Sequence, residues 1–301
     1  MTQATSVIKK TIEISREPAY LSVKLNQLQI RRGEETVGSF PCEDIGVLVV
    51  DHPQTTYSHG ALASLAESDA ALVVCGRDHL PIAVLLPLAD HSQVVWRLYD
   101  QLQASQPIRK QIWKQLVQAK IIAQAAMLDP DAPARSKLID LARSVRSGDP
   151  NNVEAQAARV YWANWLPDEI FRRDQDGDGL NSLLNYGYAI LRAALARAIV
   201  AAGMHPALGL KHKNRSNAFC LADDLIEPLR PLVDNQAREL YRQGVCQIDQ
   251  EAKVALLQLL AQEVDSNGKR GPLMVALHQY VASLGRCLRG ESRKIEVPRA
   301  C

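Results

Sequence analysis

Over the first ninety residues, short apolar runs alternate with polar turns. Positions 11–15, 20–24, 27–31 and 36–40 carry β-branched or aromatic members and predict strands. Leu25 and Asn26, between the second and third runs, suit a tight hairpin. The run at 45–50 contains GVLVV, continuously apolar, as expected of a strand buried on both faces. Positions 59–67 space Leu62, Leu65 and Ala66 as on a helix, and 71–75 and 82–86 add two further apolar runs. The pattern predicts one compact sheet of about six or seven strands with one helix inserted.

Strand signals stop near Pro87, and 91–105 reads as a linker. Beyond it the period becomes helical. Positions 108–128 carry a stripe through Ile112, Leu116, Ile121, Ile122 and Ala125; 135–146 and 152–164 predict two shorter helices. Positions 180–202 are small or apolar nearly all round (Ala193, Ala194, Ala196, Ala198, Val200), which predicts a central buried helix. An acidic helix over 217–243 is expected to bend or break at Pro228 and Pro231. Helices over 252–264 and 272–288 complete the bundle, and the tail GESRKIEVPRAC predicts weak order. The expected class is α+β: a β-rich domain over 1–90, a linker over 91–105 and an all-α domain over 106–301.

Composition narrows the setting. Six scattered cysteines (42, 75, 220, 246, 287, 301) form no CxxC pair, no zinc spacing and no disulfide framework, so reduced thiols in a cytoplasm are expected. MTQATSVIKKTIEIS is polar and strand-like, without a signal peptide's apolar core. No apolar run is read as approaching the ~20 residues that span a bilayer. The net charge of +2 does not by itself imply nucleic acid, but its distribution is uneven. Residues 1–100 hold 8 Lys/Arg against 12 Asp/Glu, and residues 101–301 hold 27 against 21. The basic excess lies in the helical part, as phosphate binding requires and as a solvated helical surface also permits.

The chemistry concentrates in residues 203–234. A basic loop, Lys211-His212-Lys213-Asn214-Arg215, is followed by an acidic segment with Asp223, Asp224 and Glu227. On a helix Asp224 and Glu227 share a face, while Asp223 points about 100° away. An imidazole, carboxylates and surrounding cations suit a hard metal ion beside phosphates; a solvated loop before an amphipathic helix accounts for the same residues. Upstream, Asp149 is a natural N-cap with Pro150 at the first helical position, opening a helix that carries Glu154. Ala155, Ala158, Tyr161 and Trp162 are its expected inward stripe. DQDGDG at 174–179 matches the start of a calcium loop, but its twelfth position is Asn185 where a bidentate Glu belongs, so no tight calcium site is expected. His52, His59 and His79 read as turn or surface residues, His205 as a helix terminus and His278 as structural or exposed.

Taken together, EAQAARVYW, NSLLNYGYAILRAAL, HPALGLKH and DDLIEPLRPLVD resemble the CRISPR-associated spacer-acquisition integrase family, in that family's order and spacing. The likeness is strongest over 149–234, and the length is similar to the short forms that accompany single-effector (type II) systems. The resemblance implies that Glu154, His212 and Glu227 are ligands of Mg2+ or Mn2+, with Asp224 a supporting acid. It places Asn185 and Tyr188 near the site, where packing and helix capping are equally good accounts of them. Lys211, Lys213, Arg215 and Arg230 are the nearest cations for phosphate; Arg159 shares the Glu154 face only in part and is as well suited to anchoring helices. The implied activity is metal-dependent integration, in which the 3′-hydroxyl of an incoming double-stranded DNA fragment attacks the CRISPR repeat by transesterification. The implied partners are a second copy bound through the N-terminal domain, a small ferredoxin-like CRISPR-associated protein and other adaptation factors. A structure-selective metal-dependent nuclease and a non-enzymatic helical DNA-binding scaffold are the alternatives.

Overall fold

The structure is a computed structural model that describes residues 9–88, 91–166, 169 and 171–301. The strand-like start at 1–8, the domain boundary at 89–90 and part of the PDEIFRR segment lie outside the described residues. The chain begins with β1 (Lys10–Ile14), β2 (Tyr20–Lys24), β3 (Gln27–Arg32), β4 (Glu35–Pro41), β5 (Ile45–Val50), β6 (Thr56–Tyr57), α1 (His59–Glu67), β7 (Ala71–Cys75) and β8 (Pro81–Leu85). These strands form two four-stranded sheets, ordered β4-β3-β2-β6 and β1-β5-β7-β8, and not the single sheet expected. The antiparallel meander β2–β4 ends in a 3-10 turn at Cys42–Asp44, which redirects the chain into the second layer. Leu25 and Asn26 both have positive φ (52° and 58°), as a two-residue primed hairpin turn requires.

All six residues of β5 are buried between parallel β1 and β7, and its alternate residues serve different cores. Leu48 and Val50 pack with Leu21, Leu28 and Leu65 beneath the first sheet, whereas Val47 and Val49 pack with the helices. The period of two in a strand thus joins the β-rich part to the helical part through one shared layer.

The helical part comprises α2 (Val94–Gln103), α3 (Gln106–Ala126), α4 (Pro133–Ser144), α5 (Val153–Trp162), α6 (Leu180–Ala201), α7 (Cys220–Ile226), α8 (Arg230–Arg242), α9 (Gln250–Gln258) and, after a hairpin, α10 (Leu273–Leu288). α2 falls within the expected linker; its buried Gln101 exchanges hydrogen bonds with the backbone of His205. α6 is the central helix. It is long and apolar enough to cross a membrane, contrary to the expectation that no such run exists, but it is packed within the core. The expected break at Pro228 is a 3-10 turn, Glu227–Leu229, between α7 and α8.

Two expectations for the C-terminal region are corrected. It is not all-α: β9 (Glu263–Ser266), β10 (Lys269–Pro272) and β11 (Arg299–Ala300) form a three-stranded sheet. Its hairpin turns at Asn267-Gly268, both at positive φ, in the gap between the two helices expected over 252–264 and 272–288; the first of these ends early, and β9 takes up its last residues. Nor does the tail lack order. Ile295 is buried, its N–H donates to Gln115 Oε1 at 3.1 Å, and Arg299–Ala300 pairs with β9.

Candidate functional site

Four elements converge on the candidate residues: α3, the start of α5, the loop before α7 and the α7–α8 junction. Glu154 sits in the first turn of α5, where the helix dipole favours a carboxylate. The cap differs from expectation. The helix starts at Val153, and Pro150 lies in a turn outside it. Buried Asp149 reaches forward to accept from Val153 N–H at 2.8 Å and Glu154 N–H at 3.0 Å. The inward stripe is Val153, Ala157 and Tyr161, four residues apart on one face, and not Ala155 and Ala158, which lie to its sides.

Asp224 organises the basic loop. Its side chain is fully buried and accepts from the backbone N–H groups of Leu210 at 2.6 Å, Lys211 at 3.0 Å and His212 at 3.3 Å. It also accepts from His212 Nδ1 at 2.6 Å. With Nδ1–H donating to a carboxylate, Nε2 is the ring nitrogen that carries a lone pair. That hydrogen bond raises the His212 pKa; burial opposes it, and the charges of Asp224, Glu227 and Glu154 reinforce it. Trp113 of α3 meets the imidazole edge-on at 5.7 Å. Gly209 lies so close to the His212 carbonyl and the Asp224 carboxylate that a Cβ there would displace the loop. Asp223 points elsewhere, held by Asn217 at 2.6 Å and Arg192 at 3.6 Å.

Glu227 and Glu154 are brought together across a residue that no sequence reading singled out. Lys120 Nζ lies 2.7 Å from Glu154 Oε1 and 2.5 Å from Glu227 Oε2. Arg230 Nε donates to the other Glu227 oxygen at 2.9 Å. Burial alone would raise the Glu227 pKa, but Arg230 and Lys120 outweigh it and hold it at about 2. Burial likewise opposes the charge on Lys120, and the two carboxylates more than offset it, raising its pKa. The signal in the sequence was a lysine on the apolar stripe of α3, four residues after buried Leu116 and one before buried Ile121.

The remaining expected residues divide into two groups. Lys211, Lys213 and Arg215 are exposed on the loop, and Arg159 is exposed on α5. The others are engaged inside the protein. Arg230 stacks on Tyr188 at 4.4 Å while pairing with Glu227. The Tyr188 and Tyr161 hydroxyls both donate to buried Asp234, whose pKa burial pushes up to about 6. Asn185 accepts from Arg173 at 2.5 Å and donates to the Gln175 carbonyl at 2.7 Å, so it closes the 174–179 loop. His205 caps a turn through Ala207 N–H, and His278 is a structural partner of Arg197 at 3.0 Å.

Among the described residues, no three His, Cys, Asp or Glu side chains converge on one ion position. The donor set nevertheless fits a hard divalent cation. Two carboxylate oxygens already converge on one cationic atom, Lys120 Nζ, and the neighbouring imidazole is oriented through Nδ1. An open groove of about 440 Å3, lined in part by Leu102, Arg109, His212, Lys213 and Asn214, adjoins the imidazole.

A protein of Neisseria meningitidis serogroup C (strain 8013), "CRISPR-associated endonuclease Cas1", is 37% identical over 267 residues, 87% of each chain. Among solved structures, "Casposase bound to integration product" superposes with a TM-score of 0.80 at 19% identity, covering 96% of this chain and 93% of that one. A chain of a "Cas6-RT-Cas1--Cas2 complex" superposes with a TM-score of 0.78 at 17% identity, covering 98% of this chain and 36% of that one. The profile of the family described as "CRISPR associated protein Cas1" matches residues 12–262. With that match and a relative 37% identical over most of its length, the chain belongs to the CRISPR-associated Cas1 family.

Proposed function

We propose that this protein is a metal-dependent DNA integrase and endonuclease of CRISPR adaptation. The observation that carries the proposal is the convergence of Glu154 and Glu227 on a single cation beside an imidazole oriented by Asp224. Glu154, Glu227 and His212 Nε2 would hold Mg2+ or Mn2+. When bound, the ion supplies Lewis-acid polarisation of the scissile phosphodiester and stabilises charge on the departing 3′-oxygen. Asp224 keeps the imidazole in one tautomer and orientation. Lys211, Lys213 and Arg215 hold phosphates at the mouth of the site, and Arg230 fixes the Glu227 carboxylate.

Attack by the 3′-hydroxyl of a DNA fragment exchanges one phosphodiester for another. Attack by water at the same phosphorus gives hydrolysis, in keeping with the endonuclease name of the Neisseria relative. The superposition with a casposase bound to integration product supports joining. The β-rich part over 1–90 forms a homodimer contact, 91–105 links it to the catalytic part over 106–301, and a small ferredoxin-like partner completes the assembly. The Cas1–Cas2 complex among the superposed structures supports that last step.

The test incubates purified protein with a labelled double-stranded fragment, a repeat-containing plasmid, the partner protein and Mn2+. Joined product that disappears with chelator is the expected result. Cleavage without joining would make the protein a nuclease alone, and neither product under any metal would leave a DNA-binding scaffold.

A further inference from the structure

Lys120 stands between two carboxylates that the proposed chemistry needs for another cation. Its side chain is only 12% exposed, so its charge is held away from water by what surrounds it. Glu154 and Glu227, brought together without a cation, would repel and push one carboxyl towards protonation. With Lys120 between them and Arg230 on the far oxygen of Glu227, two negative charges face two positive ones. Asp224 is not part of this balance, because it is occupied by the His212 loop. A divalent ion added to the pair as it stands would meet a neutral cluster, with an ammonium in its place.

The residue type suits an exchange. A lysine carries a compact point charge on a flexible four-carbon stem, so the ammonium can leave while α3 stays packed; a guanidinium would be held by its planar fork. Two of the three ammonium hydrogens face carboxylates, and no third partner is found among the described residues.

We propose that Lys120 is an internal counter-cation, which holds Glu154 and Glu227 together in the ion-free protein and withdraws when a divalent cation loads. The inference rests on the reading of Glu154 and Glu227 as metal ligands. Loading is then an exchange of cations at a preformed pair, and apparent affinity is lowered by the small fraction of molecules whose ammonium has withdrawn.

The test is calorimetric titration of Mn2+ into the full-length protein, Lys120→Met and Glu154→Gln, with thermal unfolding of each. Lys120→Met should bind Mn2+ at least about tenfold more tightly than the native chain. Its ion-free Tm should fall, and saturating Mn2+ should raise that Tm by more than it raises the native one. A second measurement needs no variant. Acylation of lysines followed by mass spectrometry should find Lys120 slow without ion and faster with Mn2+, while exposed Lys137 is unchanged. Native Mn2+ binding that Glu154→Gln abolishes but Lys120→Met leaves equal or weaker, with Lys120 reactivity indifferent to the ion, overturns the counter-cation role and leaves the metal site standing. No Glu154-dependent Mn2+ binding in either the native chain or Lys120→Met overturns the metal site, and this inference with it. Should Lys120→Met fail to fold, the acylation of the native protein decides.

Discussion

Lys253 of α9 and Lys120 of α3 are both drawn out of water onto carboxylates, and their surroundings differ in two ways. Lys253 meets one acid, Asp51, which is 1% exposed and also faces His79 Nδ1 at 3.0 Å. That cluster sits where the shared sheet meets α9. Lys120 meets two acids, one of them shared with Arg230, beside a half-exposed imidazole and an open groove. A single carboxylate already engaged by a buried ammonium and an imidazole offers no pair of oxygens to a further ion. Two carboxylates converging on one removable ammonium do. The contrast separates an ionic joint that holds two parts together from an ionic cluster set up for exchange, although both look alike as buried lysine pairs.

Activity gives the largest separation. Glu154→Ala, His212→Ala and Glu227→Ala should each drop joining and cleavage below detection in the gel assay, with circular dichroism unchanged. Asp51→Ala should leave activity per folded molecule intact. A joining defect in Asp51→Ala matching that of Glu154→Ala would erase the distinction.

Stability should show the reverse. Leaving Lys253 buried without Asp51 costs about 3–5 kcal/mol, read as a lowered denaturation midpoint. A midpoint within about 0.5 kcal/mol of the native one would mean that the joint carries no weight.

Salt dependence sharpens the site end. On duplex DNA the log–log slope of affinity against salt is about −0.9 per phosphate neutralised. Changing Lys211, Lys213 and Arg215 together to Ala should make it shallower by up to roughly three units, on unrelated DNA sequences alike. Arg31 and Arg32, on the β-rich part, should contribute little when replaced. The opposite ranking would move the DNA path off the site.

A third cluster, His278 with Arg197, unloads in a different pH window from the site. Burial, then Arg197 and Lys9, lower the His278 pKa to about 4 from 6.5. Its neutral form therefore contributes stability that is complete above pH 6.5 and lost as pH falls through 6.5 to 4, at up to about 1.4 kcal/mol per pH unit. Glu227, held at about 2, contributes stability that is lost only below pH 4.5. Asp234 acts with opposite sign, its contribution present below pH 3.8 and lost as pH rises through about 6. Denaturant titrations of native chain and His278→Gln between pH 4.5 and 7 isolate the first effect. Because Asp234 offsets His278 over much of this window, the variant's stability should fall as pH rises where the native chain's stays nearly level, and equal slopes would rule the effect out.

The smallest effect is expected at 174–179. Arg173 occupies Asn181 and Asn185, the latter at the twelfth loop position, so calorimetry should find no calcium binding tighter than about 10⁻⁴ M. Micromolar binding lost in Asp174→Ala would add a second cation site to the comparison.

Local period and turn chemistry were legible in the sequence alone. The residues of β2, β5, α1 and β7, the Leu25-Asn26 hairpin, the central α6 and the break at Pro228 follow from spacing, because each depends on neighbours within a few positions. The residues proposed for the site were legible as motif members. What spacing does not carry is which side chains meet across the fold. The division of the strands into two layers, the docking of the tail on β9 and the meeting of Lys120 with Glu154 and Glu227 were decided by tertiary packing. Lys120 lies 34 residues from Glu154 and 107 from Glu227 along the chain. On its own helix it is a polar interruption of an apolar stripe, and only the packing of α3 against α5 and the 227–229 turn makes it a partner of both acids.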